Sequence, residues 1–313
     1  MSKGIFQEDW WCDASNPGEW HKIEIDESGR KVAEFVFARR KKYGFYEVGM
    51  PYLSRAMDPI VTIEAKKQTT RLDANVRIVK RISDALPKFD HFWYTLTPES
   101  ENELAFNLAG FQTESQYTFR RYPDDPQDMW DAMEQKTRNI VRKGLSEFQM
   151  ELHHDLDRFI KVSKLFVARR SWFNKIDYTA LQRIWAAAEA RSRAAILSVS
   201  TPECPDCALA IVVWDDKFLY YWLATRHPDA AGNSANSVLI WHAMQLAMDK
   251  GLIFDLDGYA SPSSGQFLSR FGLKPLRRAH IQRISTLADW SANSRLLIKS
   301  LAPVSIKNTL MGL

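Results

Sequence analysis

Cysteine is scarce in this chain: its 313 residues include three, Cys12, Cys204 and Cys207, too few for a disulfide framework. Cys204-Pro-Asp-Cys207 has the spacing of a redox pair or of half a zinc site. No second CxxC and no His pair completes a metal centre, and the segment falls where a turn between two strands is expected. No metal is expected. The chain also lacks any run near the roughly 20 apolar residues that span a bilayer, and Glu8 and Asp9 stand where a signal peptide needs an apolar stretch. A cytoplasmic protein without a transmembrane segment is the expectation. Missing too are a Ser-His-Asp order, HExxH and a Walker loop, which argues against a triad hydrolase, a zincin and an NTPase. Neither sign of charge prevails by much, with 42 Lys and Arg against 38 Asp and Glu. Such an excess permits an anionic ligand and gives no reason to expect a DNA partner.

What the chain does have is apolar mass: 45% hydrophobic residues, including 11 Trp and 17 Phe, enough for two cores. The length fits two domains, expected at 1–150, with a linker helix at 126–144, and at 151–290. A helical tail over 291–313 follows, and Leu287, Trp290, Leu296, Leu297 and Ile298 are expected to pack back on the body. Periodicity predicts strands at 20–26 and 30–40 about a turn at Glu27, Ser28 and Gly29. A helix is predicted over 66–86, with Leu72, Val76, Val79, Ile82 and Leu86 as its buried stripe, ended by Pro87. A strand at 91–96, a short helix closed by Gly110 and a strand at 115–122 come next. The linker helix should start at Asp125-Pro126-Gln127-Asp128, with Lys136, Arg138, Arg142 and Lys143 toward its C-terminal end, as solvated charges or as an anion-facing edge.

The second half repeats this order. Helices are predicted at 156–169 and 178–191, strands at 194–200, 207–214 and 218–224, and a largely buried helix at 236–250. After these come a strand at 252–257, a short helix at 262–271 stopped by Gly272, and a strand at 275–284. Segments 91–111 and 253–273 are of equal length and lie 162 positions apart, with Phe92 matching Phe254 and Gly110 matching Gly272. Two modules of mixed sheet flanked by helices, an α+β architecture, are therefore expected.

Asp255 and Asp257, two apart on a predicted strand, share a side, so mutual repulsion could leave one of them a general base; the other reading is a strand-end cap before Gly258. Tyr220 and Tyr221 alternate faces, one for the core and Tyr221 for the site or for packing. His242, on the apolar helix, reads as a core histidine or as a site group. Arg226 and Arg270 could hold an anionic group or pair on the surface.

The run from Ser237 through Trp241 and His242 to Gly251, then Phe254-Asp255-Leu256-Asp257-Gly258 and Phe267 to Gly272, resembles the second domain of the FemAB-like acyltransferases. In the first half Trp10-Trp11, Met50-Pro51-Tyr52-Leu53, Gly110-Phe111 and the stretch from Arg138 to Lys143 follow in the order that family shows. The resemblance covers 6–284 and is strongest to the bacterial branch with the CelD-type proteins of polysaccharide gene clusters. It implies two tandem GNAT-like (acyl-CoA N-acyltransferase-like) domains. It also implies transfer of an acyl or aminoacyl group to an amine or hydroxyl of a sugar, a cell-envelope precursor or a related polymer. The acceptor would be a small molecule or glycan, and the cosubstrate acyl-CoA or another acyl donor. In such a fold two strands splay and the next helix turns its N-terminus to phosphate. The resemblance makes Asp255, Asp257 and Tyr221 catalytic, gives Arg226, Gly232, Asn233, Ser237 and Arg270 to the donor, and lines the acceptor cleft with Tyr52 and Trp93. A GNAT phosphate loop usually reads Gln or Arg, two residues, Gly, one residue, Gly or Ala, whereas 226–237 holds the single glycine Gly232. The donor therefore stays open between CoA, a carrier protein and aminoacyl-tRNA. The rival reading is a catalytically silent GNAT-like scaffold that binds a glycan or a partner protein in polysaccharide biosynthesis.

Overall fold

The structure, a computed structural model, describes residues 3–42, 44–125, 127–169, 176–230, 234–259 and 261–285. The chain divides into two compact units, one of residues 1–116 with 278 onward, the other of residues 117–277. The boundary expected at 150 thus falls earlier, and the first unit regains the chain at 278, because two strands each pass from one unit into the other. The expected tail lies outside the described residues.

Unit 1 begins with α1 (Asp9–Ser15), which no periodicity announced, and then the expected hairpin, β1 (Trp20–Glu27) and β2 (Arg30–Lys42). Ser28 and Gly29, at φ 51° and 77°, make its turn. β3 (Phe45–Gly49), β4 (Ile60–Val61), α2 (Gln68–Ala85), β5 (His91–Thr95), α3 (Glu103–Leu108) and β6 (Gln112–Arg121) follow. The residues of α2 turned inward are Asn75, Ile78, Val79 and Ile82. Leu72, expected in the buried stripe, is 40% exposed. The core is aromatic: Phe35, Phe92, Tyr94, Phe106 and Phe111 are fully buried, and the Tyr94 hydroxyl donates to the Val36 carbonyl at 3.0 Å.

Unit 2 holds α4 (Met129–Ala132), α5 (Gln135–Glu147), β7 (Gln149–His153), α6 (Leu156–Ala168), α7 (Tyr178–Glu189), β8 (Ala194–Thr201), β9 (Cys204–Trp214) and β10 (Phe218–Arg226). After these come α8 (Ser234–Asp249), β11 (Ile253–Asp255), α9 (Pro262–Leu268) and β12 (Lys274–Ile284), whose last part returns to unit 1. The linker helix expected at 126–144 is two helices. Asp128 caps the first by accepting from the Trp130 and Asp131 amides, and extended Met133 and Glu134 break the run. Met133 is buried in the core, and a Cβ on Gly272 would strike the Ala132 backbone, so the break is where Gly272 passes. Cys204 to Cys207, expected as a turn, instead begin β9: the β8–β9 turn is at Pro202 and Glu203, Thr201 pairs with Cys204, and the Cys207 thiol donates to the Cys204 carbonyl at 2.8 Å. α8 buries residues all round its girth, among them Val238, Leu239, Trp241 and Met244.

Strand order is β1-β2-β3-β5-β12 in unit 1, with β4 on β2, and β6-β11-β10-β9-β8-β7 in unit 2. Both sheets are mixed. Each has a parallel pair, β3 with β5 and β10 with β11, whose second strand is preceded by α2 or α8 and followed by the short helix α3 or α9. The duplication expected from the sequence is present as a repeated order of three strands, helix, strand, short helix, strand, with the two-residue β4 added before the helix in the first repeat. Gly110 and Gly272, paired across the repeat, both take left-handed φ, 87° and 70°, after their short helices. Among the described residues no helix is long and apolar enough to cross a membrane.

Candidate functional site

In unit 2, β9 pairs with β10 from Leu219 to Arg226, whereas β11 pairs with it over three residues only, Phe218–Ile253, Leu219–Phe254 and Tyr220–Asp255. The β9 register slips between Tyr221 and Leu223, which puts a bulge at the buried Trp222. A bulge sharpens the local twist and turns the strand away from its neighbour. β10 then runs on to Arg226 with no β11 residue opposite. Beside such a gap, strand amides can meet a carbonyl oxygen that gains charge in acyl transfer. α8 starts at Ser234, eight residues past Arg226. A helix N-terminus favours an anion.

The side chains expected here divide. Asp255 is 3% exposed and fully engaged: Oδ1 accepts from the Thr118 hydroxyl at 2.5 Å and from the Asp257 amide at 2.8 Å, and Oδ2 accepts from Arg120 Nε at 2.6 Å. Arg120 is as buried and lies 4.5 Å from the centre of the Phe218 ring. A carboxylate so held anchors the β6–β11 pair, which favours the strand-end cap of the two readings over the general base. Its Asx turn to Asp257 also ends the strand. β11 stops at Asp255 and Asp257 sits at φ 62°, so the two do not share a strand face.

Tyr221, the first residue past the β11 ladder, is half-buried against the unit 2 core, and burial pushes its phenol well above the usual range. It stays protonated at neutral pH and can donate. Arg226, half-buried, closes the strand. Ser237 is 1% exposed in the first turn of α8. Gly232 and Asn233 lie outside the described residues. Arg270 pairs with Glu134 at 3.2 Å, the surface pairing that was one of its two readings. His242 is half-buried; desolvation lowers its pKa, opposed by a hydrogen bond with Gln245, and it remains neutral. Sequence reading passed over Thr225, 7% exposed with a buried hydroxyl that has no partner.

In unit 1, the Tyr52 amide donates to Asn16 Oδ1 at 2.6 Å, tying the Met50-Pro51-Tyr52 turn to the end of α1. Trp93 lies flat on Gly49, where a Cβ would come within 2.5 Å of its indole, and Arg40 stands 5.8 Å above the ring. Among the described residues no group of three acidic, His or Cys side chains could hold a metal ion.

The model of the acetyltransferase (GNAT) domain matches residues 132–262. Among solved structures the chain is similar to FemX, at 13% identity and a TM-score of 0.67 over 92% of this chain and 94% of that one. It is also similar to the C-terminal (DUF2156) domain of an Agrobacterium fabrum protein assigned as a lysylphosphatidylglycerol synthetase, at 14% identity and TM-score 0.57 over 94% of each chain. A third is a tandem GNAT protein from the clavulanic acid biosynthesis pathway, at 11% identity and TM-score 0.52 over 84% of this chain and 82% of that one. A search of curated proteins found no match. The fold is a FemAB-like tandem GNAT.

Proposed function

We propose that this chain is an acyltransferase whose unit 2 holds an activated acyl or aminoacyl donor and passes the group to an amine or hydroxyl of a sugar, a cell-envelope precursor or a related polymer. The observation that carries the reading is the β10–β11 gap: a three-residue ladder, a bulge at Trp222, and six further residues of β10 before α8. The acceptor nitrogen or oxygen attacks the acyl carbon. Its new bond forms as the carbonyl oxygen takes up charge beside β10, and the bond to the donor's sulfur or oxygen then breaks. The proton lost by the acceptor ends on the departing sulfur or oxygen. Tyr221, protonated and next to the gap, supplies a hydrogen bond to that leaving atom. Arg226, with Gly232 and Asn233, takes the donor's anionic part. Asp255 anchors the strand instead of moving the proton. Positioning supplies much of the rate, since two bound reactants need little more than alignment and charge stabilisation.

The experiment is a panel of acyl-CoAs, acyl carrier proteins and charged tRNAs, read by mass spectrometry for loss of the acyl group and by melting temperature for binding. One donor should bind and lose its group to an amine or hydroxyl acceptor. Arg226→Ala should raise that donor's apparent KM with little change in kcat, because a grip on a remote anion holds ground and transition states alike. Binding without turnover for every donor and acceptor would favour the scaffold reading.

A further inference from the structure

On a regular strand Cys204 and Cys207, three residues apart, would face opposite sides of the sheet. They do not, because β9 opens on a bulge. Cys204 pairs with Thr201 and Ala208 with Val199, so Pro205, Asp206 and Cys207 stand opposite Ser200 alone. Asp206 takes a left-handed φ of 55°. Both cysteines thereby turn to the same side, Cys207 inside the unit 2 core that α8 shares and Cys204 packed against it. The Cys207 thiol donates to the Cys204 carbonyl at 2.8 Å, and the two side chains lie within hydrogen-bonding reach of each other.

The bulge is held from three directions. Arg158, on α6, meets Asp206 with Nη2 at 2.6 Å and Nε at 3.1 Å. The Asp206 amide donates to the Ser200 hydroxyl at 2.9 Å, and the His227 amide, just past β10, donates to the Cys207 carbonyl at 2.8 Å. Two thiols fixed side by side have little freedom left to lose when their sulfurs are joined.

We propose that Cys204 and Cys207 are a site of reversible oxidation, which closes a disulfide by exchange with a small-molecule disulfide, RSSR. Cys204, half-buried, is the sulfur such an oxidant meets, and Cys207, 3% exposed, resolves the intermediate. The Cys204 thiolate attacks one sulfur of RSSR, forming Cys204–S–S–R and releasing RS⁻, which takes up the proton that Cys204 lost. Cys207 then gives up its proton and attacks the Cys204 sulfur. The bond to the R–S group breaks, and a second RSH leaves. Two electrons and two protons have passed from the dithiol to RSSR. Burial, and then the neighbouring Cys207, push the Cys204 thiol up to about 12. Thiolate is therefore scarce at neutral pH, and exchange is slow. A thiolate so poorly stabilised is also a poor leaving group, so the closed bridge resists reduction. A structural zinc suits the pair less, since it takes four ligands and among the described residues no third His, Cys or acidic side chain joins these two. The inference does not rest on acyl transfer.

The test equilibrates the whole chain with glutathione and glutathione disulfide at pH 9, where the thiolate fraction is about a hundredfold that at pH 7. After an acid quench, mass spectrometry reads the tryptic peptide 194–217, which carries both cysteines and leaves out Cys12. That peptide should lose two hydrogens with no glutathione attached. Half of it should be oxidised at a ratio of squared glutathione to glutathione disulfide concentration above the millimolar effective concentration of a short flexible linker. Unfolding in urea should lower that ratio about tenfold or more, because the bulge then no longer sets the sulfurs side by side. Cys204→Ser should abolish the two-hydrogen loss. Should that variant fail to fold, the wild-type comparison with and without urea decides. A peptide that gains glutathione without ever closing the bridge overturns the proposal, and so does an equal half-oxidation ratio for the folded and unfolded chain.

Discussion

The last rung of the parallel pair reads Gly49–Trp93 in unit 1 and Tyr220–Asp255 in unit 2, with Gln282 beside Trp93 and Arg120 beside Asp255. Trp93 and Asp255 stand 162 positions apart, as do Arg120 and Gln282. Both rungs are locked, by different physics. Trp93 covers a glycine, while Asp255 is held by a buried guanidinium and a hydroxyl. The difference beyond the rung matters more. β3 ends at Gly49, whereas β10 continues from Tyr221 to Arg226 past a bulge. One scaffold thus ends in an unpaired stretch of β10 in unit 2 and in a tryptophan packed on a glycine in unit 1. The strand ladders build the frame, and the residues just past their ends set its chemistry.

The largest expected effect breaks the unit 2 lock. Arg120→Met leaves Asp255 buried without its charge partner and should lower stability by about 3–5 kcal/mol, measured by urea unfolding. If stability is unchanged, Asp255 is not an ionic anchor and its role as a base reopens. Next are the paired glycines. Gly272→Ala meets both left-handed strain and the Ala132 backbone, for about 2–4 kcal/mol. Gly110→Ala has open space and meets strain alone, about 1–2 kcal/mol. Equal costs would mean that the seating of the α4–α5 break on Gly272 contributes nothing.

In unit 1, Gly49→Ala pushes a methyl into the Trp93 indole and should cost about 1–3 kcal/mol, recovered in part by adding Trp93→Leu. Recovery shows a steric lock; none would show that the strand itself needs glycine. The smallest effect is a pH slope. His91 and His280 in unit 1 and His153 and His242 in unit 2 all have pKa values lowered, first by desolvation. Each therefore binds its proton more readily when unfolded. Their contribution is present above the unfolded pKa of about 6.5 and is lost as pH falls below it toward the lowered folded values. Unfolding free energy measured across pH 7.5 to 5 should fall with acid, and His280→Asn should flatten the slope on the unit 1 side.

Most elements were legible in the sequence because long periodic segments carry their own signal. The β1–β2 hairpin, α2, α6, α7, the β8–β10 meander and α8 all lie near their expected bounds. Some shorter elements were not: α1, β3, β4 and β7 carry no clear periodicity, because local pattern is weak over so few residues. Of the site residues, Tyr221 and Arg226 lie on β10 past the end of the β11 ladder, Ser237 is buried in the first turn of α8, and Arg270 pairs with Glu134, placements that the local pattern does not specify.

By itself the sequence determined two apolar cores, the duplicated order of elements and the glycine stop at Gly110 and Gly272, since periodicity, caps and left-handed turns are local properties. Only the tertiary structure decided what Asp255 and Trp93 do. A carboxylate becomes an anchor according to what stands opposite. For Asp255 those partners, Thr118 and Arg120, lie more than a hundred residues away along the chain.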